Sequence, residues 1–370
     1  MKYYIIAGEA SGDLHGSNLM KALYKKDPNA DIRFWGGDLM QAVGGTLVSH
    51  YKERAFMGFF EVIKNLNKVL VFIKFCKQDI VKFNPDVIVF IDNSGFNLRI
   101  AKWAKKASFK TNYYISPQVW ASRASRVKKI KRDIDNMFVI LPFEKDFYKQ
   151  FDYKVHFVGH PLIDAIADRI QVDELSFRNE HNLGKKPIIA VLPGSRKQEI
   201  NKMLSVMLSL VNEFSEYYFV IAGAPSQENI FYQRIIKNNK VGFVQNKTYD
   251  LLSISTAALV ASGTATLETV LFKVPQVVCY KGSFISYQIA KRIITLKYIS
   301  LVNLIMDKEV VTELIQNDFT TAKLREALLN ILTEDTRKKM FLDYFDLEKK
   351  LGGKGASEKT AQLIIEGLSS

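Results

Sequence analysis

The sequence predicts an α/β protein of two domains, each a parallel sheet covered by helices. Three observations carry this. Short apolar runs alternate with amphipathic stretches along most of the 370 residues, the pattern of strands joined by crossover helices. A polar stretch, 168–186 ("DRIQVDELSFRNEHNLGKK"), separates two such series. In each series an apolar strand runs into a glycine-containing turn and then a helix, at "IIAGEASGD" (5–13) and "IIAVLPGSR" (188–196). The length fits two domains, and a hydrophobic content of 48% supplies a core for each.

In chain order, the strands expected in the first series are 3–7, 32–35, 86–91, 112–116, 136–140 and 155–158. In the second they are 187–192, 217–222, 241–244, 257–261 and 276–280. Helical periodicity falls at 17–26, 97–107, 198–214, 228–238 and 264–272, and from 306 onward the chain reads as helices only. The expected domains are 1–165 and 166–344, with a C-terminal helix, 345–370, packing back across them.

The first turn places Gly8, Gly12 and Gly16 around Glu9, Ser11, Asp13 and His15. This is neither a dinucleotide fingerprint nor a P-loop. Glycines still let a ligand approach the backbone, and a helix N-terminus still offers N–H groups. A plain strand-to-helix connection, with Ser11 or Asp13 as N-cap, is equally open. Further on, Val87 to Ile91 is uninterruptedly apolar, as in a central strand buried on both faces. Asp92 follows it, where catalytic groups tend to sit; Asn93 or Ser94 can cap the next helix and leave Asp92 free.

In the second half, Pro193-Gly194-Ser195-Arg196 joins an arginine to a helix N-terminus, which suits a diphosphate. A further turn, Ser262-Gly263-Thr264, repeats the form. Ligands of open α/β sheets bind beyond the carboxyl ends of strands, so the two turns point at one pocket. Glu268 lies one turn into the helix that follows. Ala265, three residues before it, cannot supply a capping hydroxyl, so Glu268 is read as a carboxylate for the two hydroxyls of a ribose.

A net charge of +14 favours an anionic partner: nucleic acid, a phosphorylated small molecule or an acidic membrane. No nucleic-acid module accompanies the charge. Cys76 and Cys279 lie far apart in apolar runs and read as buried, reduced thiols of a cytosolic protein. The start "MKYYIIAGEASG" turns polar too early for a signal peptide. No metal is expected, because the five histidines lack ligand spacing. The one D-x-D, Asp133-Ile134-Asp135, precedes a strand and so falls at the wrong sheet edge, as surface charge or a strand-entry turn.

The segment 56–78 places Phe59, Val62, Ile63, Leu66, Val69, Leu70 and Ile73 on one helical face, and Phe56, Phe60, Phe72 and Phe75 widen it. Lysines at 64, 68, 74 and 77 add positive charge. Glu61, Asn65 and Asn67 make the segment too polar to span a bilayer. It fits an interfacial helix; an ordinary core helix is the alternative. The basic run "WASRASRVKKIKR" (120–132) is a solvated face, or a seat for a phosphate or anionic lipid.

Nine blocks then occur in order: "AGEASGDLHG", "MGFFEV", "IDNSGFNLR", "YISPQVWASR", "LPFEKDFY", "VGHPLID", "LPGSRKQEI", "ASGTATLE" and "YISLVNLI". Together the chain resembles the lipid-A-disaccharide synthases, inverting glycosyltransferases. The resemblance implies a GT-B architecture: two Rossmann-like parallel-sheet domains facing across a cleft, with a helical C-terminal region. It implies that a UDP-sugar, UDP-2,3-diacylglucosamine, glycosylates 2,3-diacylglucosamine 1-phosphate, giving a β-1,6-linked disaccharide 1-phosphate and UDP. Asp92 matches the general base and Arg196 the functional arginine that contacts the donor diphosphate. Gly8, Glu9, Ser11, Gly12 and Asp13 would wall the cleft, with Asn97 and Gln118 on the same side. Gly194, Ser195, Gly263, Thr264, Ala265, Glu268 and Asn303 match the nucleotide side. Family members often carry a second aspartate where this chain has Gly95, so the base role falls on Asp92 alone. The implied partners are the two acylated sugars and an anionic membrane surface, at the inner face of the inner membrane; a homodimer stays open. The rivals are another UDP-sugar GT-B enzyme, such as a cell-wall N-acetylglucosaminyl transferase or an epimerase, and a non-enzymatic lipid-binding protein.

Overall fold

A computed structural model describes residues 1–54, 66–122, 124–282 and 297–369. The chain forms two compact units, Met1–Ala167 with Leu351–Ser370, and Asp168–Lys350.

The first unit is built on a parallel sheet of β1 (Lys2–Ala7), β2 (Asp31–Gly36), β3 (Thr46–His50), β4 (Val87–Ile91), β5 (Thr111–Tyr114), β6 (Asn136–Val139) and β7 (His156–Phe157). Their spatial order is β3-β2-β1-β4-β5-β6-β7. The order reverses between β1 and β4, which pair in register from Tyr3↔Val87 to Ala7↔Ile91. Strand alternation sorts the side chains between two cores. Tyr4, Ile6, Ile88 and Phe90 face the helices Leu66–Phe83, Ser94–Lys106 and Val127–Asp133. Tyr3, Ile5, Val87 and Val89 face the helix Ala10–Lys26 and the C-terminal helix Ala356–Ser369, which contributes Ala361 and Ile364.

One polar link ties the helix Leu66–Phe83 to the sheet. Asp79 accepts from Tyr4 Oη at 2.7 Å and from Arg33 at 2.8 and 2.6 Å, while Trp35 Nε1 donates to Tyr4 Oη at 2.8 Å. Burial opposes the Asp79 charge, but these donors outweigh it and hold the carboxyl below its usual range.

The second unit repeats the plan with β8 (Ile188–Leu192), β9 (Tyr218–Gly223), β10 (Gly242–Gln245), β11 (Ser255–Ala261), β12 (Gln276–Tyr280) and β13 (Thr312–Ile315), in the order β10-β9-β8-β11-β12-β13. Its reversal falls between β8 and β11, where Leu192 pairs with Val260. Ile188, Ala190, Val220, Val244, Ala258 and Val260 form one of its cores.

Two strands escape the sequence reading. β3 ("TLVSH") and β13 ("TELI") are edge strands with one buried residue each, so neither shows an apolar run. β13 also corrects the expectation of helices only after 306. Cys76 and Cys279 are both buried. Among the described residues, no helix is long and apolar enough to cross a membrane.

Candidate active site

In an open parallel sheet, ligands bind beyond the carboxyl ends of the strands where the order reverses. Each unit has one such point, and the glycine turns sit there.

In the first unit, β1 ends beside β4, so Gly8 lies next to Asp92. A Cβ on Gly8 would fall 1.8 Å from Asn93 Nδ2, so a larger residue would have to displace that side chain. Asp92 and Asn93 both take left-handed backbone conformations, with φ of 44° and 42°. Two such non-glycine residues in succession are strained and persist only when the surroundings fix them. The clamp is visible. Asn97 is fully buried, and its Nδ2 donates to Asp92 O at 2.8 Å and Ile91 O at 3.1 Å. Tyr113 Oη donates to Asp92 O as well. The next strand ends in a third left-handed residue, the β-branched Ile115 at φ 66°, just before Ser116-Pro117 and the exposed Gln118.

The clamp holds the Asp92 main chain and leaves its carboxylate half-buried. Burial, helped by the charge of Glu9 and opposed by the Asn93 N–H, pushes the Asp92 carboxyl up to about 6. That range suits a group that takes a proton near neutrality.

Glu9, and neither Ser11 nor Asp13, is the N-cap of the helix Ala10–Lys26, and no side chain caps it. Glu9 and Ser11 are exposed, and Gly12 packs against Ala7. Asp13 has a different task from the one expected. It is buried, and its carboxylate accepts from the N–H groups of Gly37 (2.7 Å), Leu39 (3.0 Å) and Met40 (3.1 Å). It thereby caps the short helix Asp38–Val43. Asn97 likewise acts on the backbone of Asp92.

In the second unit, the turn after β8 runs through Gly194 at φ 98°, a conformation that strains any other residue. Ser195 O accepts from Gln227 Nε2 at 2.8 Å and Ser226 Oγ at 3.1 Å, fixing the turn against the loop after β9. Arg196 is the N-cap of the helix Lys197–Leu208. Its side chain is 82% exposed and pairs with Glu199 at 2.9 Å; such an exposed pair is weak and easily exchanged for an anion. Beyond β11, Gly263 caps the helix Thr264–Leu271; Thr264 is exposed and Ala265 half-buried.

Glu268 faces the same edge, half-buried. Burial raises its carboxyl above the ordinary value, opposed by a hydrogen bond that Tyr249 Oη donates to Oε1 at 3.1 Å. Asn303 departs from expectation. It is fully buried and its amide is engaged by the protein: Nδ2 donates to Val311 O (2.8 Å) and Glu313 Oε1 (2.9 Å), and Oδ1 accepts from Val310 and Val311 N–H. Glu313 also accepts from the N–H groups of Ile299 and Ser300, and Ser262 Oγ donates to Ile299 O at 3.1 Å. Asn303 and Glu313 therefore shape the wall of the Ser262-Gly263-Thr264 turn.

Three participants were not foreseen: Tyr113, Tyr249 and Glu313. Tyr113 reads as one more strand residue, and Glu313 sits in the edge strand that carries no apolar run.

The D-x-D lies at the opposite edge, and both carboxylates are engaged. Asp133 is buried, which excludes plain surface charge and leaves the strand-entry turn ahead of β6, and it is held by Arg132 at 2.7 and 2.6 Å. Asp135 accepts from Thr111 N–H at 2.9 Å and from Lys105.

Of the expected membrane face, Phe59, Phe60, Val62 and Ile63 lie outside the described residues, and Leu66 opens the helix Leu66–Phe83. Val69 is a correction: it is 4% exposed and packs in the core with Ile73. Leu70 is 55% exposed, beside Val71 (66%) and Phe75 (44%).

Both units carry the sheet order of nucleotide-binding α/β domains, and known structures share the fold. UDP-GlcNAc 2-epimerase from Neisseria meningitidis, bound to UDP-GlcNAc, superposes with a TM-score of 0.73 at 12% identity, over 99% of this chain and 100% of that one. The glycotransferase of kitacinnamycin superposes with a TM-score of 0.66 at 11% identity, over 99% of this chain and 98% of that one. Sequence relationships are closer. The lipid-A-disaccharide synthase of Syntrophus aciditrophicus is 37% identical over 98% of this chain and 96% of its own. Those of Geobacter metallireducens and Coxiella burnetii are 35% and 34% identical, over 98% and 97% of this chain and 96% of each relative. The profile of the lipid-A-disaccharide synthetase family matches residues 3–366. With a match across almost its whole length, the chain belongs to the lipid-A-disaccharide synthase family of glycosyltransferases.

Proposed function

We propose that the chain transfers the sugar of UDP-2,3-diacylglucosamine to the 6-hydroxyl of 2,3-diacylglucosamine 1-phosphate, with inversion. The observation that carries this reading is Asp92: a half-buried carboxyl raised to about 6, on a clamped and strained turn at a sheet reversal point. In this account Asp92 takes the 6-hydroxyl proton as that oxygen bonds to C1 of the donor. The bond from C1 to the diphosphate breaks, and UDP leaves with the electron pair. Arg196, released from Glu199, and the first-turn N–H groups of the helices Lys197–Leu208 and Thr264–Leu271 stabilise the leaving diphosphate. Glu268 accepts from the ribose hydroxyls.

The acyl chains require the enzyme to meet a bilayer. The helix Leu66–Phe83 supports a peripheral role at the inner face of the inner membrane, since it presents Leu70, Val71 and Phe75 beside the exposed Lys68 and Lys74. Apolar insertion and attraction to anionic lipid would then act together. No metal step is invoked: Asp133 and Asp135 are already bound by Arg132, Thr111 and Lys105.

The test is to incubate purified protein with both acylated sugars, with and without excess chelator, and to follow UDP and product mass. One UDP per tetraacyl disaccharide 1-phosphate supports the reading. An epimerised nucleotide sugar, or no UDP, refutes it.

A further inference from the structure

The helix Thr248–Ser253, after β10, carries a residue that the proposed chemistry does not use. Tyr249 donates its hydroxyl to Glu268 Oε1 at 3.1 Å, and its ring lies 5.5 Å from that of Phe272. The guanidinium of Arg169 sits 5.1 Å from the Phe272 ring centroid. Arg169 also donates to Tyr249 O at 3.3 Å and to Asp250 Oδ1 at 2.8 Å. Arg169 thus braces both the main chain that carries Tyr249 and the ring that Tyr249 leans on. Among the described residues, no donor reaches Glu268 Oε2.

A glutamate has three side-chain torsions, and a carboxylate meant for a vicinal diol must be held in one orientation before the ligand arrives. Tyr249 is built to do this. Its hydroxyl fixes one oxygen and leaves the second for the ligand, and donation to a carboxylate is among the stronger protein hydrogen bonds. We infer that Tyr249 is a positioning residue for Glu268, and that the Tyr249–Glu268 pair is the element that distinguishes a ribonucleotide from a deoxyribonucleotide. The inference rests on the reading of Glu268 as the partner of the nucleotide's ribose. Tyr249 acts through Glu268 and does not itself touch the reacting atoms.

The effect should be specific to the ligand's hydroxyls. Tyr249→Phe keeps the ring against Phe272 and removes only the donor. It should weaken UDP roughly tenfold, the scale of one hydrogen bond to a charged group, and weaken 2′-deoxy-UDP, which keeps only the 3′-hydroxyl, by much less. In turnover the donor KM should rise while kcat holds.

The experiment is calorimetric titration of the full chain with UDP and with 2′-deoxy-UDP, for wild type and Tyr249→Phe, beside a thermal melt of each. The expected result is wild-type discrimination between the two ligands of about tenfold or more, collapsing in the variant with the melt unchanged. Equal discrimination in both proteins overturns the inference, whether the variant binds normally or loses both ligands in parallel, since a parallel loss marks a merely structural residue. If the variant melts early, both titrations are run below the onset of its melt, and equal discrimination there also overturns the inference. A wild type that binds UDP and 2′-deoxy-UDP alike refutes the Glu268 reading itself, and the inference with it.

Discussion

At the scale of single residues, Asp92 is costly to keep. Its folded carboxyl is raised to about 6 from an ordinary value of 3.8, chiefly by burial. A carboxyl raised on folding binds its proton more tightly in the native state. Its stability contribution is therefore complete at low pH and is lost as pH rises through about 6. Asp92→Asn, which never charges, should melt above wild type at pH 8 and lose that advantage by about pH 4, as paired melts would show. If Asp92 is the base, as proposed, catalysis has the opposite sign, because the base must be ionised: rate should rise with pH through about 6. Removing the neighbouring charge with Glu9→Gln lowers the Asp92 carboxyl, so the acid limb should move to lower pH; a pH–rate profile unchanged by Glu9→Gln would deny the coupling. Arg196→Ala should weaken UDP by about 1.5–3 kcal/mol, the range for a bond to a charged group, measured by titration calorimetry. Its exposed pair with Glu199 adds little to the fold, so its melt should match wild type.

At the scale of elements, what the sequence makes legible is the sheet edge. Central strands such as β4 and β8 are continuous apolar runs, so their ends, and hence Asp92 and Arg196, can be placed by reading alone. The tasks of polar residues cannot. Asp13, Asn97 and Asn303 stand on helices beside the candidate ligands, yet they direct their hydrogen bonds mainly at neighbouring backbone, which only three-dimensional contact reveals. Tyr113 and Tyr249 are hidden for the same reason. The helix Leu66–Phe83 shows the limit of periodicity: Val69 and Leu70 are adjacent in sequence, but one lies in the core and the other in solvent. Two sets of substitutions should therefore separate. Serine at Leu70 and Val71 should leave the melt intact and reduce co-sedimentation with anionic vesicles. Val69→Ser with Ile73→Ser should cost about 2–5 kcal/mol of stability, as cavities and buried hydroxyls do. Vesicle binding indifferent to the first set would remove the interfacial role.

At the scale of the whole molecule, the C-terminal segment belongs to the first unit although it follows the second in sequence. Leu351, Ala361 and Ile364 are fully buried there, and Asp164 accepts from Gly355 N–H at 2.7 Å and Ser357 N–H at 3.2 Å. The sequence reading expects one helix, 345–370, packing back across the domains; residues 345–350 instead finish the helix Glu334–Lys350 of the second unit, and the helix Ala356–Ser369 belongs to the first. Deleting 351–370 should destabilise the first unit selectively, at roughly 1.5–3 kcal/mol for each large apolar side chain lost. Calorimetry should then show an early transition beside a retained one from the second unit; a single unchanged transition would contradict that seat. The net charge of +14 adds a global term, and vesicle binding should weaken as salt rises.

The account assigns proton abstraction to the first unit and nucleotide binding to the second, and one comparison bears on it most directly. Asp92→Asn and wild type are compared for UDP affinity by titration calorimetry and for turnover by UDP release with both acylated sugars. The account predicts equal UDP affinity and a loss of about 10²–10⁴ in turnover, the range for removing a general base. Near-normal turnover in Asp92→Asn, or a parallel loss of UDP binding, would contradict it.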